Sequence, residues 1–197
     1  MMQTFEFKPG PIARTVRVEV DGIGAAFHDG KGALRARVEF SAARHVRFAE
    51  LSGRDMVTRW FDVEHGTGRF RIQCNSSALN EAGQRDLAQY RAAIRAILSG
   101  VAARSPEVQV ELGTGKGTRI AMFSMGAAAL LFAVGVPVVA MATGVASSKL
   151  LSALLPCLLM GFIGAVLMDR FRPWVPAATV PPAVLRDALA VMDAPKA

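Results

Sequence analysis

Apolar and polar residues alternate with a period of two through much of 15–75, the mark of half-buried β-strands. Val16, Val18 and Val20 alternate with Arg17 and Glu19, and Asp21-Gly22 then supplies a turn. A short second strand over 24–28 leads into the turn Asp29-Gly30-Lys31-Gly32. In the third strand Leu34, Ala36, Val38 and Phe40 alternate with Arg35, Arg37 and Glu39. Residues 45–51 place Val46 and Phe48 on one side, and Ser52-Gly53-Arg54-Asp55 breaks the pattern. Residues 57–64 put Val57, Arg59, Phe61 and Val63 on one face and Thr58, Trp60 and Asp62 on the other. Gly66-Thr67-Gly68 reads as a hairpin turn. After it Phe70, Ile72 and Cys74 point inward, against Arg69, Arg71 and Gln73 outward. Residues 5–8 add an edge strand ahead of Pro9-Gly10-Pro11.

After Asn75 the period changes. Leu87, Tyr90, Ile94, Ile97, Leu98 and Val101 follow the three-to-four spacing of one helix face. Arg85, Asp86, Gln89, Arg91, Arg95 and Ser99 decorate the other. The spacing predicts an amphipathic helix over about 80–103, with Asn80 as N-cap and Ser105-Pro106 as stop. Residues 108–112 alternate again, enough for one last short strand.

Two charge-free apolar runs follow, 120–143 and 150–168, interrupted by Lys149. A bilayer's hydrocarbon core needs roughly 20 apolar residues in a spanning helix, and both runs have that length. Seven Leu with Phe162, Ile163 and Val166 give the second run an insertion free energy on the order of −5 kcal/mol. The pair is expected to form a transmembrane helical hairpin, kinked at Pro137 and Pro156. In the second run Ala153, Cys157, Gly161 and Ala165 recur every fourth residue, a strip of small side chains that lets another helix approach closely. The tail is Pro-rich to Pro182, and Val184, Leu185, Ala188, Leu189 and Met192 then make a short amphipathic helix for a membrane surface or a partner. The domains expected are therefore a soluble β domain over 1–105, a juxtamembrane linker over 106–119, the hairpin over 120–168 and a tail over 169–197.

Charge sets the expected address. The chain carries +7 in 197 residues. Residues 1–119 hold 18 basic and 13 acidic side chains, an excess of five that suits an anionic leaflet. Arg104, Lys116, Arg119, Arg170, Arg172 and Arg186 flank the shared end of the two runs, whereas the tip has only Lys149. Both termini are then expected on the cytoplasmic side, with Trp174 as an interfacial anchor. The residue usage, heavy in Ala, Arg, Val and Gly, points to a GC-rich bacterium and hence to its inner membrane. MMQTFEFKPG has neither the basic start nor the apolar core of a signal peptide, so the first apolar run is expected to direct insertion. No basic block interleaved with aromatics suggests nucleic acid. Two cysteines, Cys74 and Cys157, make no disulfide framework.

The motifs of catalysis are missing from the string. His28, His45 and His65 stand in no metal-ligand spacing, and no nucleophile elbow occurs. Gly113-Thr-Gly-Lys-Gly-Thr118 has the glycines of a phosphate loop but the wrong spacing, since Val110 and Gly117 occupy two of its required positions. Asp62 and Glu64 share a strand face, as solvated carboxylates commonly do.

Six or seven antiparallel strands followed by one helix, over residues 15–104, resemble a bacterial pleckstrin-homology-like domain. The segment 38–48, a strand, a brief break and a second strand, is also similar to that family. The resemblance implies an α+β fold, an antiparallel sheet or barrel closed by a C-terminal helix, and a binding scaffold that takes lipid headgroups or protein segments. The family's phosphoinositide binders carry a Lys followed by a basic-x-Arg strand after the first loop. Lys31, Arg35 and Arg37 echo this with a shorter gap and one hairpin later. The expectation is a membrane-anchored binding or scaffold protein, an accessory subunit or adaptor of a larger inner-membrane complex, without enzymatic activity, metal or cofactor. The alternative is a peripheral sensor of anionic headgroups. Candidate lipid or partner contacts are Lys31, Arg35, Arg37, Trp60, Arg170, Arg172 and Trp174, and the partners are membrane lipids with a membrane protein or a second copy.

Overall fold

A computed structural model describes residues 2–52, 56–66, 68–77, 81–144 and 147–192. The expected N-cap Asn80, the centre of the break after Ser52, Thr67 of the hairpin turn and part of the link between the apolar runs lie outside these. The chain divides into two compact units, Met1–Gly113 with Ala177–Ala197, and Thr114–Pro176. The second unit is thus an insertion into the first.

In the first unit β1 (Gln3–Phe7), β2 (Val16–Val20), β3 (Gly24–His28) and β4 (Leu34–Glu39) form an antiparallel sheet in chain order. Its turns are built by two aspartates. Asp21 accepts the backbone N–H groups of Ile23 (2.7 Å) and Gly24 (2.6 Å), and Asp29 those of Lys31 (2.9 Å) and Ala33 (3.0 Å), so each side chain replaces a backbone turn bond. β5 (Ala43–Ser52), β6 (Met56–His65) and β7 (Gly68–Ser77) form the second sheet with β8 (Val110–Leu112) and β9 (Thr179–Val180), in the order β7-β6-β5-β8-β9. β8 joins β5 in parallel and all other pairs are antiparallel.

Consecutive strands β4 and β5 do not pair, and no barrel is closed among the described residues. The alternation of the third strand carries Phe40 as a strand residue, but Phe40–Ala42 form a turn of 3-10 helix. This turn ends the first sheet and starts the second. Phe40 is fully buried there, with its backbone oxygen accepting the Ser105 hydroxyl at 2.8 Å.

The helix α1 (Glu81–Arg104) buries Tyr90, Ala93, Ile94, Ile97, Leu98 and Val101, one face at helical spacing. They meet Val18, Val20 and Val38 of the first sheet and Phe61, Phe70 and Ile72 of the second in one core. Gly100 lets α1 approach the 3-10 turn, because a Cβ there would fall 2.1 Å from the Phe40 ring.

Most of the expected tail, Ala177–Ala197, belongs to this unit. β9 pairs with β8, and α4 (Pro182–Met192) packs on α1. Pro182, Leu185 and Leu189 are buried, whereas Val184 and Met192 of the expected apolar face are exposed. An 11-residue helix is marginal alone, so its packing on α1 supplies its stability.

In the second unit α2 (Lys116–Ala142) and α3 (Ser147–Arg170) pack against each other. Each extends past its charge-free run, so the charges at Lys116, Arg119, Asp169 and Arg170 sit inside helices. Both helices are long and apolar enough to cross a membrane.

Candidate interaction surfaces

The outward face of the five-stranded sheet is charged, and strand register decides who meets whom. Arg47 of β5 lies opposite both Asp62 of β6 and Glu111 of β8, and Asp62 lies opposite Arg71 of β7. Acidic and basic side chains therefore alternate across four strands. Glu111 accepts from Arg47 Nη2 at 2.9 Å, and His45 Nε2 lies at the same distance from it. Asp62 accepts from Arg69 and from Arg71, whose Nη2 lies 2.9 Å away. Asp62 is fully buried, which corrects its reading as a solvated carboxylate. Burial alone works against the charged form, but the hydrogen bonds from Arg71 and Arg69 outweigh it and hold the Asp62 carboxyl below its usual range. Trp60 shares this face, half-buried opposite Ala49 and Gln73.

On the inward face the alternation is kept even where it puts a charge in the core. Arg59 is 5% exposed and its Nε donates to Glu50 at 2.8 Å. Cys74 is its cross-strand neighbour, and burial pushes that thiol up to about 11. A pKa this far above neutral keeps the group as an unreactive thiol.

The three basic residues of the family echo lie on the β3–β4 hairpin. Arg35 is held by Asp29 at 2.7 Å, and the same carboxylate caps the Lys31 amide. Backbone bonds from Lys31 and Ala33, then the Arg35 pair, keep Asp29 below the ordinary carboxylate value. Arg37 is exposed two residues further along β4. Among the described residues no group of three or more His, Cys, Asp or Glu is placed to hold a metal ion. His28 lies 3.4 Å from Glu19, and His45 is used by Glu111. Gly113 N–H donates to Phe48 at 2.9 Å and Lys116 opens α2, so the glycine segment ends one unit and begins the next.

In the hairpin the contact runs through glycine. A Cβ on Gly164 would fall 2.7 Å from the Gly126 carbonyl oxygen, and one on Gly161 3.3 Å from Ala133 Cβ. Ala153 and Cys157 are half-buried, while Ala165 is exposed. Gly164, not Ala165, meets α2. Four residues advance a helix by 400°, so a strict four-residue strip drifts about 40° per step and leaves the seam after three. Trp174 is 67% exposed and meets Phe123 edge-on, with ring centroids 5.2 Å apart. Arg172 pairs with Asp169, and its carbonyl accepts from Arg119, while Arg170 is exposed.

Sequence reasoning missed the Asp62 cluster and the β8–β9 pair. The first had a signal. A two-residue turn at 66–67 pairs His65 with Gly68 and, counting back, Asp62 with Arg71. The second had none, because two residues carry no measurable period. No protein-family model matches the sequence, and no curated protein is significantly similar to it.

Proposed function

We propose that the chain is a membrane-anchored binding or scaffold protein, an accessory subunit or adaptor of a larger inner-membrane complex in a bacterium, with its sheet unit cytoplasmic and used for protein contacts. The observation that carries the anchorage is the exposure of the two apolar helices. Only 11% of the most apolar stretch of α2 and 6% of that of α3 is buried. A core helix of a water-soluble fold hides such a surface, since large contiguous apolar patches are unfavourable in water. Lipid is the solvent that suits it.

The β8–β9 pairing supports a same-side arrangement of the two flanks. Residues 177–192 fold into the unit made by 1–113, so the chain crosses with α2 and returns with α3. The basic flank and the single tip Lys149 then favour the cytoplasmic side. Four antiparallel strands, three more and a helix is also the element order of a pleckstrin-homology-like module, which supports a binding role. The half-buried Trp60, framed by ion pairs, is the centre of that protein contact. His28 and His45 stand beside Glu19 and Glu111, and Cys74 is packed in the core, which favours binding over catalysis.

The test is photocrosslinking from the Trp60 position in intact membranes, with purification in mild detergent. A single protein species crosslinked at Trp60 but not at Val184 supports the reading. An uncrosslinked particle of about 21.0 kDa plus detergent would overturn the adaptor role.

A further inference from the structure

The five-stranded sheet ends on β7, and that edge is open. Asn75 N–H donates to the Pro9 carbonyl at 2.9 Å, away from β6. Backbone direction alternates along a strand, and the β6–β7 register runs unbroken. Arg69, Arg71 and Gln73 therefore turn their N–H and C=O groups the same way as Asn75. Among the described residues no strand pairs with β7 on this side, and none of these groups has a hydrogen-bond partner. β4 comes near β7 without a ladder bond to it. The loop at Pro9 covers the far end, so the open stretch is 69–73, about 17 Å of strand.

The outward charges finish on the same edge. One row across the sheet reads Glu111, Arg47, Asp62, Arg71, and the next reads His45, Glu64, Arg69. Both rows end with an arginine on β7. The Arg69 side chain is 41% exposed and that of Arg71 46%. Asp62 takes Nε and Nη2 of Arg71 and Nη2 of Arg69. The remaining guanidinium N–H groups have no acceptor among the described residues. Opposite charges directly across a strand pair stabilise it, so a strand that continues either row brings a carboxylate. Trp60 lies one strand in, opposite Gln73.

We infer that an extended acidic segment of a partner protein adds to the open edge of β7, with two carboxylates two residues apart opposite Arg69 and Arg71. This rests on the protein-contact reading above and gives that contact its chemistry. Main-chain bonds supply the affinity of such an added strand, and its alternate side chains the specificity. A second copy is a poor occupant. Its β7 would set arginine beside arginine, and its β4 edge carries Arg35 and Arg37.

The test uses the full-length protein in detergent with Trp174→Phe, which leaves Trp60 as the one tryptophan. The probe is an end-blocked peptide of alternating glutamate and valine that carries a dinitrophenyl group, and quenching of Trp60 reports binding. Saturable quenching is expected. It should weaken about tenfold for a twin with lysine in place of glutamate, and as much for a twin with an N-methylated backbone, which lacks main-chain donors. Gln73→Pro removes one edge-facing N–H and spares the β6 ladder, since proline is tolerated where the N–H points away from the sheet. This variant should keep the parent's thermal unfolding and lose the quenching. No quenching of the parent, equal quenching by the acidic and basic peptides, or quenching unchanged by Gln73→Pro overturns the added strand. Unfolding by Gln73→Pro also overturns it, because that N–H would then already be in use. Photocrosslinking from position 60 in membranes separates this from the broader reading. A partner lost on Gln73→Pro supports the added strand, whereas one captured equally in both chains removes the strand and leaves the protein contact standing. Capture of a second copy overturns the choice of occupant. If the acidic peptide binds and no partner is captured, the adaptor role falls and the edge site stands.

Discussion

Asp62 of β6 lies directly opposite Arg71 of β7. Its carboxylate is 1% exposed, while the Arg71 and Arg69 side chains that bond it remain 46% and 41% exposed. The buried acid is thus reached by two cations that keep their own contact with water. The arrangement lowers the cost of burying the charge, because neither guanidinium is fully desolvated.

Replacing Asp62 with Asn removes the acceptor charge and leaves two arginines facing each other. The expected loss is about 1–3 kcal/mol of unfolding free energy, measured by denaturant titration of the protein in detergent. The Asp62 carboxyl is depressed in the folded state, so its contribution is present above the unfolded value near pH 4. It is lost as pH falls through the lower folded value. Asp62→Asn should therefore flatten the acid side of the stability curve and leave its slope near pH 7 unchanged.

The hairpin seam separates two neighbouring positions. Gly164→Ala forces a methyl group onto the Gly126 backbone, which cannot swing away as a side chain would. It should lower the efficiency of a crosslink between cysteines placed on α2 and α3. Ala165→Leu adds bulk on an exposed face and should leave that crosslink unchanged. The reverse pattern would restore the four-residue strip as the packing surface.

Gly100→Ala sets propensity against packing. Alanine is favoured by about 1 kcal/mol over glycine inside a helix. The added methyl overlaps the buried Phe40 ring, and overpacking of this kind costs about 1–3 kcal/mol. Net destabilisation is expected in thermal unfolding, and Phe40→Leu in the same chain should relieve part of it.

The docked tail can be tested on one helix. Leu189 is 1% exposed and Val191 75%. Leu189→Ala should cost about 2–5 kcal/mol and expose the tail to protease, while Val191→Ala should stay within about 0.5 kcal/mol of the parent. Equal protease sensitivity in both variants would show that α4 does not depend on α1.

Same-side topology predicts a labelling pattern. Cysteines introduced at Ile23 and Val191, both exposed and both in the sheet unit, should react with an impermeant thiol reagent from the same face of sealed vesicles. Reaction from opposite faces would require the β8–β9 pair to be undone.

Much of the strand pattern was legible because each strand has one wet face and one dry one. Alternation located β2, β6, β7 and the face of α1 that meets the core, and it put Arg59 on the face of Phe61 and Val63, which the structure buries. The 3-10 turn at Phe40 was hidden because a buried aromatic fits the period of a strand and of a wedge equally well. The buried face of α4 was misjudged because Pro182 packs as an apolar residue, and packing on α1 turns Val184 outward.

The sequence by itself determined where the apolar surface lies, since two charge-free runs and a set of alternating segments are properties of single stretches of chain. Only the tertiary structure decided that the tail returns as the edge strand of the sheet, that Asp62 is a buried acceptor, and that Gly164 forms the seam. Each of these depends on which residues distant in sequence face one another. That follows from strand register and helix phase, and a shift of one position moves a side chain from a neighbour's surface into solvent.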